Sequence, residues 1–139
     1  MKTNQPSLTL ALLEAREALM SHFRPELKEI GLTEQQWRIM RILAQDKELD
    51  TTTLAEKACL LKPSLTGITN RLIDIGLIDR RRSEQDQRIY YISLTDRGEK
   101  VFSNAVTRME QCHTIIEEKI GEEKMLALFN LLKDIQNIR

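Results

Sequence analysis

Apolar residues recur every three or four positions along most of the chain, which is the period of amphipathic helices. The first such pattern covers residues 7–30 and ends at Gly31. The second begins with Thr33 and Gln36 at capping-box spacing and ends near Asp46. These signals predict two helices, one after the other, in the N-terminal part of the chain.

Two shorter helices are predicted to follow. The first starts among residues 51–53, and the second opens at Pro63, which a first helical turn tolerates, and closes at Gly76. The second helix has an apolar side made of Leu65, Ile68, Leu72 and Ile75. Its other side carries small and polar residues, namely Pro63, Thr66, Gly67, Asn70 and Arg71.

The period then changes from helical to alternating. Residues 78–82 and 88–94 alternate as half-buried strands do, and the polar segment between them predicts a hairpin. Thr95 and Asp96 cap a long helix that stops at Gly121, and one more apolar stripe continues toward the C-terminus. The fold class is therefore mainly α with a small β-hairpin.

Composition supports a single domain over residues 1–139, since 41% of the residues are hydrophobic, 30% are charged and only 4% are aromatic. The 21 basic side chains balance the 21 acidic ones, so a polyanion would have to meet a local basic patch. Residues 51–97 form the one positive part of the chain. No apolar run approaches the ~20 residues of a membrane span and no leader is visible, so we expect a cytoplasmic protein.

A short helix, a turn, a second helix and a hairpin follow each other as in a winged helix-turn-helix, whose second helix enters the major groove of DNA. Asn70 can bind adenine and Arg71 can bind guanine, whereas Arg80–Arg82 and Arg88 could reach a narrow minor groove. The alternative is an ordinary solvated surface, because acidic residues lie among these arginines.

Residues 86–98 resemble the Asp-x-Arg…Leu-Thr-x-x-Gly signature of the MarR family of transcription regulators. Residues 32–37, 54–56 and 72–78 resemble that family as well, in the expected order. The resemblance covers nearly the whole chain. It implies a homodimer that binds a pseudo-palindromic operator in double-stranded DNA.

The resemblance also divides the chain. It implies a winged helix-turn-helix over residues 32–98, and N- and C-terminal dimerisation helices in residues 1–31 and 99–139. It makes Arg88 the minor-groove residue of the wing and Asp86 the partner that fixes its loop. The other DNA contacts that the resemblance implies are Lys62, Ser64, Thr66, Asn70 and Arg71. Arg82 of the arginine cluster is a further candidate.

Arg16 falls at the centre of the apolar stripe of the first helix, so it is predicted to be buried and to need an anion. That anion is either an acidic residue of a partner chain or a carboxylate effector. Residues 12–20 and the Phe-Arg-Pro at 23–25 resemble repressors of aromatic-acid degradation within the family. This implies an effector such as 3,4-dihydroxyphenylacetate or 4-hydroxyphenylacetate, with four further candidate contacts at His22, Trp37, Arg38 and Met40.

Each candidate also has a structural interpretation. Trp37 is typical of a core anchor, His22 of a surface residue, and Arg38 of a side chain lying along an apolar face. Cys112 lies in an apolar stripe and Cys59 is expected in the helix-turn-helix core, which disfavours a thiol sensor or a metal site.

No phosphate loop, nucleophile elbow or catalytic His/Asp pair is present in the sequence, so we predict no enzyme and no cofactor. A helical protein–protein adaptor is the main alternative. The wing arginines distinguish the two hypotheses, because an adaptor gives no reason for them to be required.

Overall fold

The computed structural model describes residues 5–138, and the mainly α class predicted from the sequence is confirmed. Six helices and three short strands occur in this range. Their order is α1 (Leu8–Ile30), α2 (Glu34–Asp46), β1 (Glu48–Asp50), α3 (Thr51–Ala58), α4 (Lys62–Asp74), β2 (Ile78–Arg82), β3 (Tyr90–Leu94), α5 (Asp96–Ile120) and α6 (Glu122–Gln136). None of these helices is both long and apolar enough to span a membrane.

The chain separates into two compact units. The first, here called the helical unit, contains the described residues up to 23 and those from 108 onward. The second, called the winged unit, contains residues 24–107. Helices α1 and α5 each begin in one unit and end in the other, so the winged unit extends at both ends beyond the predicted residues 32–98.

The start of α2 is a capping box, as its sequence predicts. Thr33 Oγ1 accepts a hydrogen bond from the Gln36 backbone N–H at 3.1 Å, and Gln36 Oε1 accepts from the Thr33 N–H at 3.0 Å. The helix that follows supplies much of the core of the winged unit. The largest fully buried side chains of this unit are Leu27, Ile39, Met40, Leu43, Leu54, Leu65, Leu72, Ile78 and Ile92.

The sheet has three strands, whereas the sequence predicts two. Strand β1 pairs antiparallel with β3, which places β3 in the middle of the order β1-β3-β2. A strand as short as Glu48–Asp50 gives no alternation that a sequence pattern can reveal. Its last residue caps α3: Asp50 accepts from the Thr53 N–H at 3.1 Å and from the Thr53 hydroxyl at 2.6 Å, which lowers the pKa of Asp50.

Strand β3 begins at Tyr90, later than the predicted start at residue 88. The preceding segment is a tight loop closed by a 2.8 Å hydrogen bond from the Ser83 N–H to the Ile89 carbonyl. Ser83 is buried, and its hydroxyl oxygen accepts from the N–H groups of Gln85 and Asp86 at 3.2 Å. The wing is the hairpin formed by β2, β3 and the loop between them, and these bonds hold its tip in one conformation.

Two residues next to α4 are placed differently from their predicted positions. Ile75, expected in the core, is 45% exposed because α4 ends at Asp74 and Ile75 no longer follows the helical period. Thr69 takes a buried position between Leu65 and Leu72. Cys59, also expected in the core, is exposed because it ends α3 in a left-handed conformation with φ 56°.

A junction of close backbone contacts joins the end of α4 to the start of α5. Thr95 Oγ1 donates to the Gly76 carbonyl at 2.7 Å and accepts from the Gly98 N–H at 3.0 Å, while the Thr95 N–H donates to the Leu77 carbonyl at 3.1 Å. A Cβ atom at position 98 would lie 2.0 Å from the Leu77 carbonyl oxygen. The Leu-Thr-x-x-Gly motif is thus explained by the packing of two chain segments.

The helical unit has a small core and a large exposed apolar surface. Met109, Ile116 and Met125 are buried in it. Exposed hydrophobic side chains lie along α1, the end of α5 and α6, and they include Leu8, Leu10, Leu12, Leu13, Leu19, Ile115, Ile120, Leu126, Leu128, Phe129 and Leu131. Exposure of this many large apolar side chains is typical of an interaction face.

We predict that Gly98→Ala lowers the free energy of unfolding by about 1–3 kcal/mol, because the new methyl group collides with backbone that cannot rotate away. Gly67→Ala is the matched control, since nothing lies within 4 Å of a Cβ at that helical position. It should leave stability unchanged or raise it by up to about 1 kcal/mol. Urea denaturation of the two variants measures both effects, and equal stability of the variants would contradict the role assigned to Gly98.

Candidate nucleic-acid interface

The outer face of α4 carries the side chains that base edges and phosphates require. Leu65, Thr69 and Leu72 are buried and hold the opposite face against the unit. Every residue that the sequence marks as a major-groove candidate is exposed, namely Lys62, Ser64, Thr66, Asn70 and Arg71. The N-cap residue of α4 is Leu61, whose side chain cannot accept a hydrogen bond. The backbone N–H groups of the first turn therefore have no side-chain cap.

The start of α2 lies beside this face. A shallow groove of about 350 Å³ separates Gln35 and Gln36 from Ser64, Gly67 and Arg71. Glutamine amides can donate to phosphate oxygens. In the sequence Gln36 is recognisable only as a capping residue and Gln35 carries no signal, because their position beside α4 depends on how α2 and α4 pack.

One face of the wing is tied together by Arg81. Its guanidinium lies 4.6 Å from the ring centroid of Tyr91 and reaches across β3 to Glu48, with bonds of 2.9 Å from Nε and 2.8 Å from Nη2. The bond to Arg81 lowers the pKa of Glu48. Arg81 therefore links all three strands and has its charge paired within the protein.

The other face of the wing carries Arg80 and Arg82 around the ring of Tyr90. The Cζ atoms of Arg80 and Arg82 lie 4.8 Å and 5.1 Å from the ring centroid. Arg82 also donates from Nε, at 3.1 Å, and from Nη2 to the Tyr90 hydroxyl oxygen. The hydrogen bond from Arg82 lowers the pKa of Tyr90.

The tip of the wing presents Arg88 to solvent. Asp86 Oδ1 accepts from the backbone N–H of Arg88 at 3.0 Å and from its Nε at 3.1 Å, and Oδ2 accepts from Nη2 at 3.1 Å. These bonds lower the pKa of Asp86. The Arg88 side chain is 90% exposed, so the ion pair fixes the loop while the guanidinium still faces outward.

Two of the effector candidates lie in the helical unit. Arg16 is not buried as predicted: its side chain is 42% exposed, and one guanidinium nitrogen lies 4.0 Å from Glu17. The expectation failed because the apolar stripe around Arg16 stays exposed in a single chain. His22 is exposed, and its backbone carbonyl accepts a hydrogen bond from the Cys112 thiol at 3.6 Å.

The other three candidates lie in the winged unit and have structural contacts there. Met40 is fully buried, and Trp37 stacks on Phe102 with ring centroids 5.0 Å apart. Arg38 bonds to both carboxylate oxygens of Glu34 and donates to the Ala58 carbonyl at 2.6 Å. Arg38 therefore ties α2 to the C-terminal end of α3.

Comparison with known proteins identifies the family. The MarR family model matches residues 32–90. The homoprotocatechuate degradative operon repressor of Escherichia coli is 50% identical over 128 residues, which cover 92% of this chain and 86% of that protein. The chain belongs to the MarR family.

Two further proteins are similar over almost the whole chain. The HTH-type transcriptional regulator FarR of Neisseria gonorrhoeae is 44% identical over 137 residues, covering 99% of this chain and 94% of FarR. The crystal structure of NadR in complex with 4-hydroxyphenylacetate has a TM-score of 0.88 and 42% identity, and the match covers 100% of this chain and 99% of that one. The family predicted from residues 32–37, 54–56, 72–78 and 86–98 is thus confirmed, and so is the winged helix-turn-helix fold predicted from the order of the elements.

For this MarR-family chain we predict that Arg38→Ala lowers the free energy of unfolding by about 1–3 kcal/mol, because the Ala58 carbonyl and the Glu34 carboxylate each lose a charged donor. Arg41→Ala is the control, since Arg41 is an exposed arginine of the same helix. Chemical denaturation checks the comparison. A loss in Arg41→Ala equal to that in Arg38→Ala would show that the bonds of Arg38 add no stability.

Proposed function

We propose that the protein is a homodimeric transcriptional repressor of an aromatic-acid catabolic operon. The observation that carries the proposal is the combination of an outward polar face on α4 with arginines on the adjacent wing. Helix α4 would enter the major groove, where Asn70 and Arg71 can bind base edges. Arg88 at the tip of the wing would enter the minor groove.

Dimer formation is supported by the exposed apolar side chains of the helical unit. A second copy of the chain would cover the exposed leucines of α1 and α6, whose burial is favourable by roughly 25 cal/mol for each Å² removed from water. A two-fold dimer requires a pseudo-palindromic operator with half-sites about one helical turn apart, ~34–36 Å. A cytoplasmic location, as expected from the sequence, follows from this proposal, because a repressor has to reach its operator.

The proposed effector is an aromatic carboxylate, such as 3,4-dihydroxyphenylacetate or 4-hydroxyphenylacetate. The support is the 50% identity to a homoprotocatechuate operon repressor and the likeness to NadR, which was crystallised with 4-hydroxyphenylacetate. Arg16 is the proposed clamp for the carboxylate, because a guanidinium binds that group through two parallel hydrogen bonds. His22 in the same unit is a candidate neighbour, and Trp37, Arg38 and Met40 remain candidates that would shape the site through their packing.

Effector and operator would act in opposition. If the acid favours a dimer in which the two α4 helices no longer match the operator, it weakens DNA binding by the same factor by which DNA weakens acid binding. Such coupling is typically about 1–3 kcal/mol, or roughly five- to 150-fold in affinity. The protein would then release its operator when the aromatic acid that the enzymes of the operon degrade accumulates.

We predict that Arg88→Ala weakens binding to a duplex from the upstream region of the gene and reduces the magnitude of the slope of log affinity against log salt by about 0.9, as expected when one cation is lost from the DNA interface. Fluorescence anisotropy at several salt concentrations measures both quantities. Lys124→Ala on α6 removes an equal charge outside the winged unit and should change neither. If the wild-type protein does not bind the duplex, the adaptor hypothesis takes precedence.

We also predict that Arg16→Ala binds the operator as the wild type does but is not released by either acid, because the carboxylate loses its clamp. Titration of the protein–DNA complex with 4-hydroxyphenylacetate tests this. The neutral 4-hydroxyphenylacetamide is the ligand control and should release neither protein. Release of the variant at the wild-type concentration of acid would rule out Arg16 as the clamp, and release of both proteins by the amide would rule out carboxylate recognition.

A further inference from the structure

The arginines of β2 differ in how their charges are paired. Arg81 is bound through two hydrogen bonds by Glu48 on one face of the wing. Arg80 and Arg82, one position away on either side, project from the opposite face because side chains alternate along a strand. Within residues 5–138 neither of these two guanidiniums contacts a carboxylate, and both lie against the ring of Tyr90 instead.

We propose that Tyr90 is a positioning residue that holds Arg82, with Arg80 beside it, as a paired-guanidinium site for a phosphate of the DNA backbone. The inference rests on the proposed DNA-binding function and goes beyond it in two respects. It makes a backbone phosphate the shared ligand of Arg80 and Arg82, and it assigns to the Tyr90 hydroxyl the role of fixing the guanidinium of Arg82.

The geometry around Arg82 supports this role. Nε and Nη2 donate to the Tyr90 hydroxyl oxygen, which leaves the Nη1 group to donate outward. Tyr90 itself is held in register opposite Arg82 on β3, the central strand of the sheet. An exposed arginine normally loses side-chain entropy when it binds, and a guanidinium that is already oriented loses less.

The charge of this face favours a phosphate as the ligand. The pKa of Tyr90 is lowered mainly by the hydrogen bond from Arg82, and the charges of Arg82 and Arg80 add to that shift. The two guanidiniums beside this ring also repel each other. A phosphate group relieves this repulsion and accepts hydrogen bonds from both cations. On the opposite face Glu48 already supplies the negative charge, so Arg81 has no comparable need for an external anion.

A double-mutant cycle tests the proposal on the full-length protein. Tyr90→Phe keeps the ring and removes only the hydroxyl, and it should weaken binding to the upstream duplex about three- to tenfold. Arg82→Ala should weaken binding at least as much. Addition of Tyr90→Phe to the Arg82→Ala variant should then cause no further loss, because the hydroxyl acts through Arg82.

Two matched controls separate the proposed effect from the loss of any tyrosine hydroxyl and from the loss of any positive charge. Tyr91→Phe removes the equivalent hydroxyl on the Arg81 face and should leave DNA affinity unchanged. Lys124→Ala removes one positive charge outside the winged unit and should also bind as the wild type does. Arg80→Ala, by contrast, should weaken binding and reduce the salt slope.

A second readout does not require DNA. The pKa of the Tyr90 phenol, followed by NMR in the protein alone, should rise toward its usual value in Arg82→Ala. Three results would overturn the proposal. They are wild-type DNA affinity in Tyr90→Phe, a loss of affinity in Tyr91→Phe equal to that in Tyr90→Phe, and an undiminished effect of Tyr90→Phe when it is added to Arg82→Ala. Failure of the wild type to bind the duplex would overturn the proposed function first and this inference with it.

Discussion

The approach of the Gly98 backbone to the carbonyl oxygen of Leu77 is the contact on which the winged unit depends. The gap is too small for any side chain, so the first turn of α5 lies directly against the segment that follows α4. Thr95 uses its hydroxyl and its backbone N–H to close the same gap, and Arg97 donates to the Ile75 carbonyl at 2.6 Å. These contacts therefore hold together the end of α4, the start of β2 and the first turn of α5.

This constraint also positions the wing. Strand β2 begins at Ile78, directly after the junction, and β3 ends at Leu94, directly before it. Both ends of the hairpin are thus held at the base, and the loop at the other end is closed by the bond from Ser83 to Ile89. A hairpin fixed at both ends can keep Arg88, Arg80 and Arg82 at constant positions relative to the outer face of α4.

The sequence predicted the parts of the fold that depend on local signals. The capping box at Thr33 and the helix ends at Gly31, Gly76 and Gly121 depend on neighbouring residues, and the sequence reveals them directly. Strand β1 was missed because it depends on pairing with β3. The exposure of Ile75 was missed because the sequence signals the end of α4 at Gly76 but not that the last helical residue is Asp74.

The candidate site was predictable to a similar extent. Residue types on α4 and the arginines of the wing are visible in the sequence, but which arginine is paired depends on the register of three strands. Burial of Arg16 was predicted from a helical wheel that assumes every apolar stripe is covered. In one chain that stripe is exposed, so its environment depends on an assembly that periodicity alone cannot describe.

The first turn of α5 is held at the end of α4 by short backbone contacts and not by large side chains. Thr95 and Gly98 leave no room between the two segments, so a substitution that widens this gap must also move the end of α4. Residues 95 and 98 therefore influence the outer face of α4, although neither of them lies on that helix.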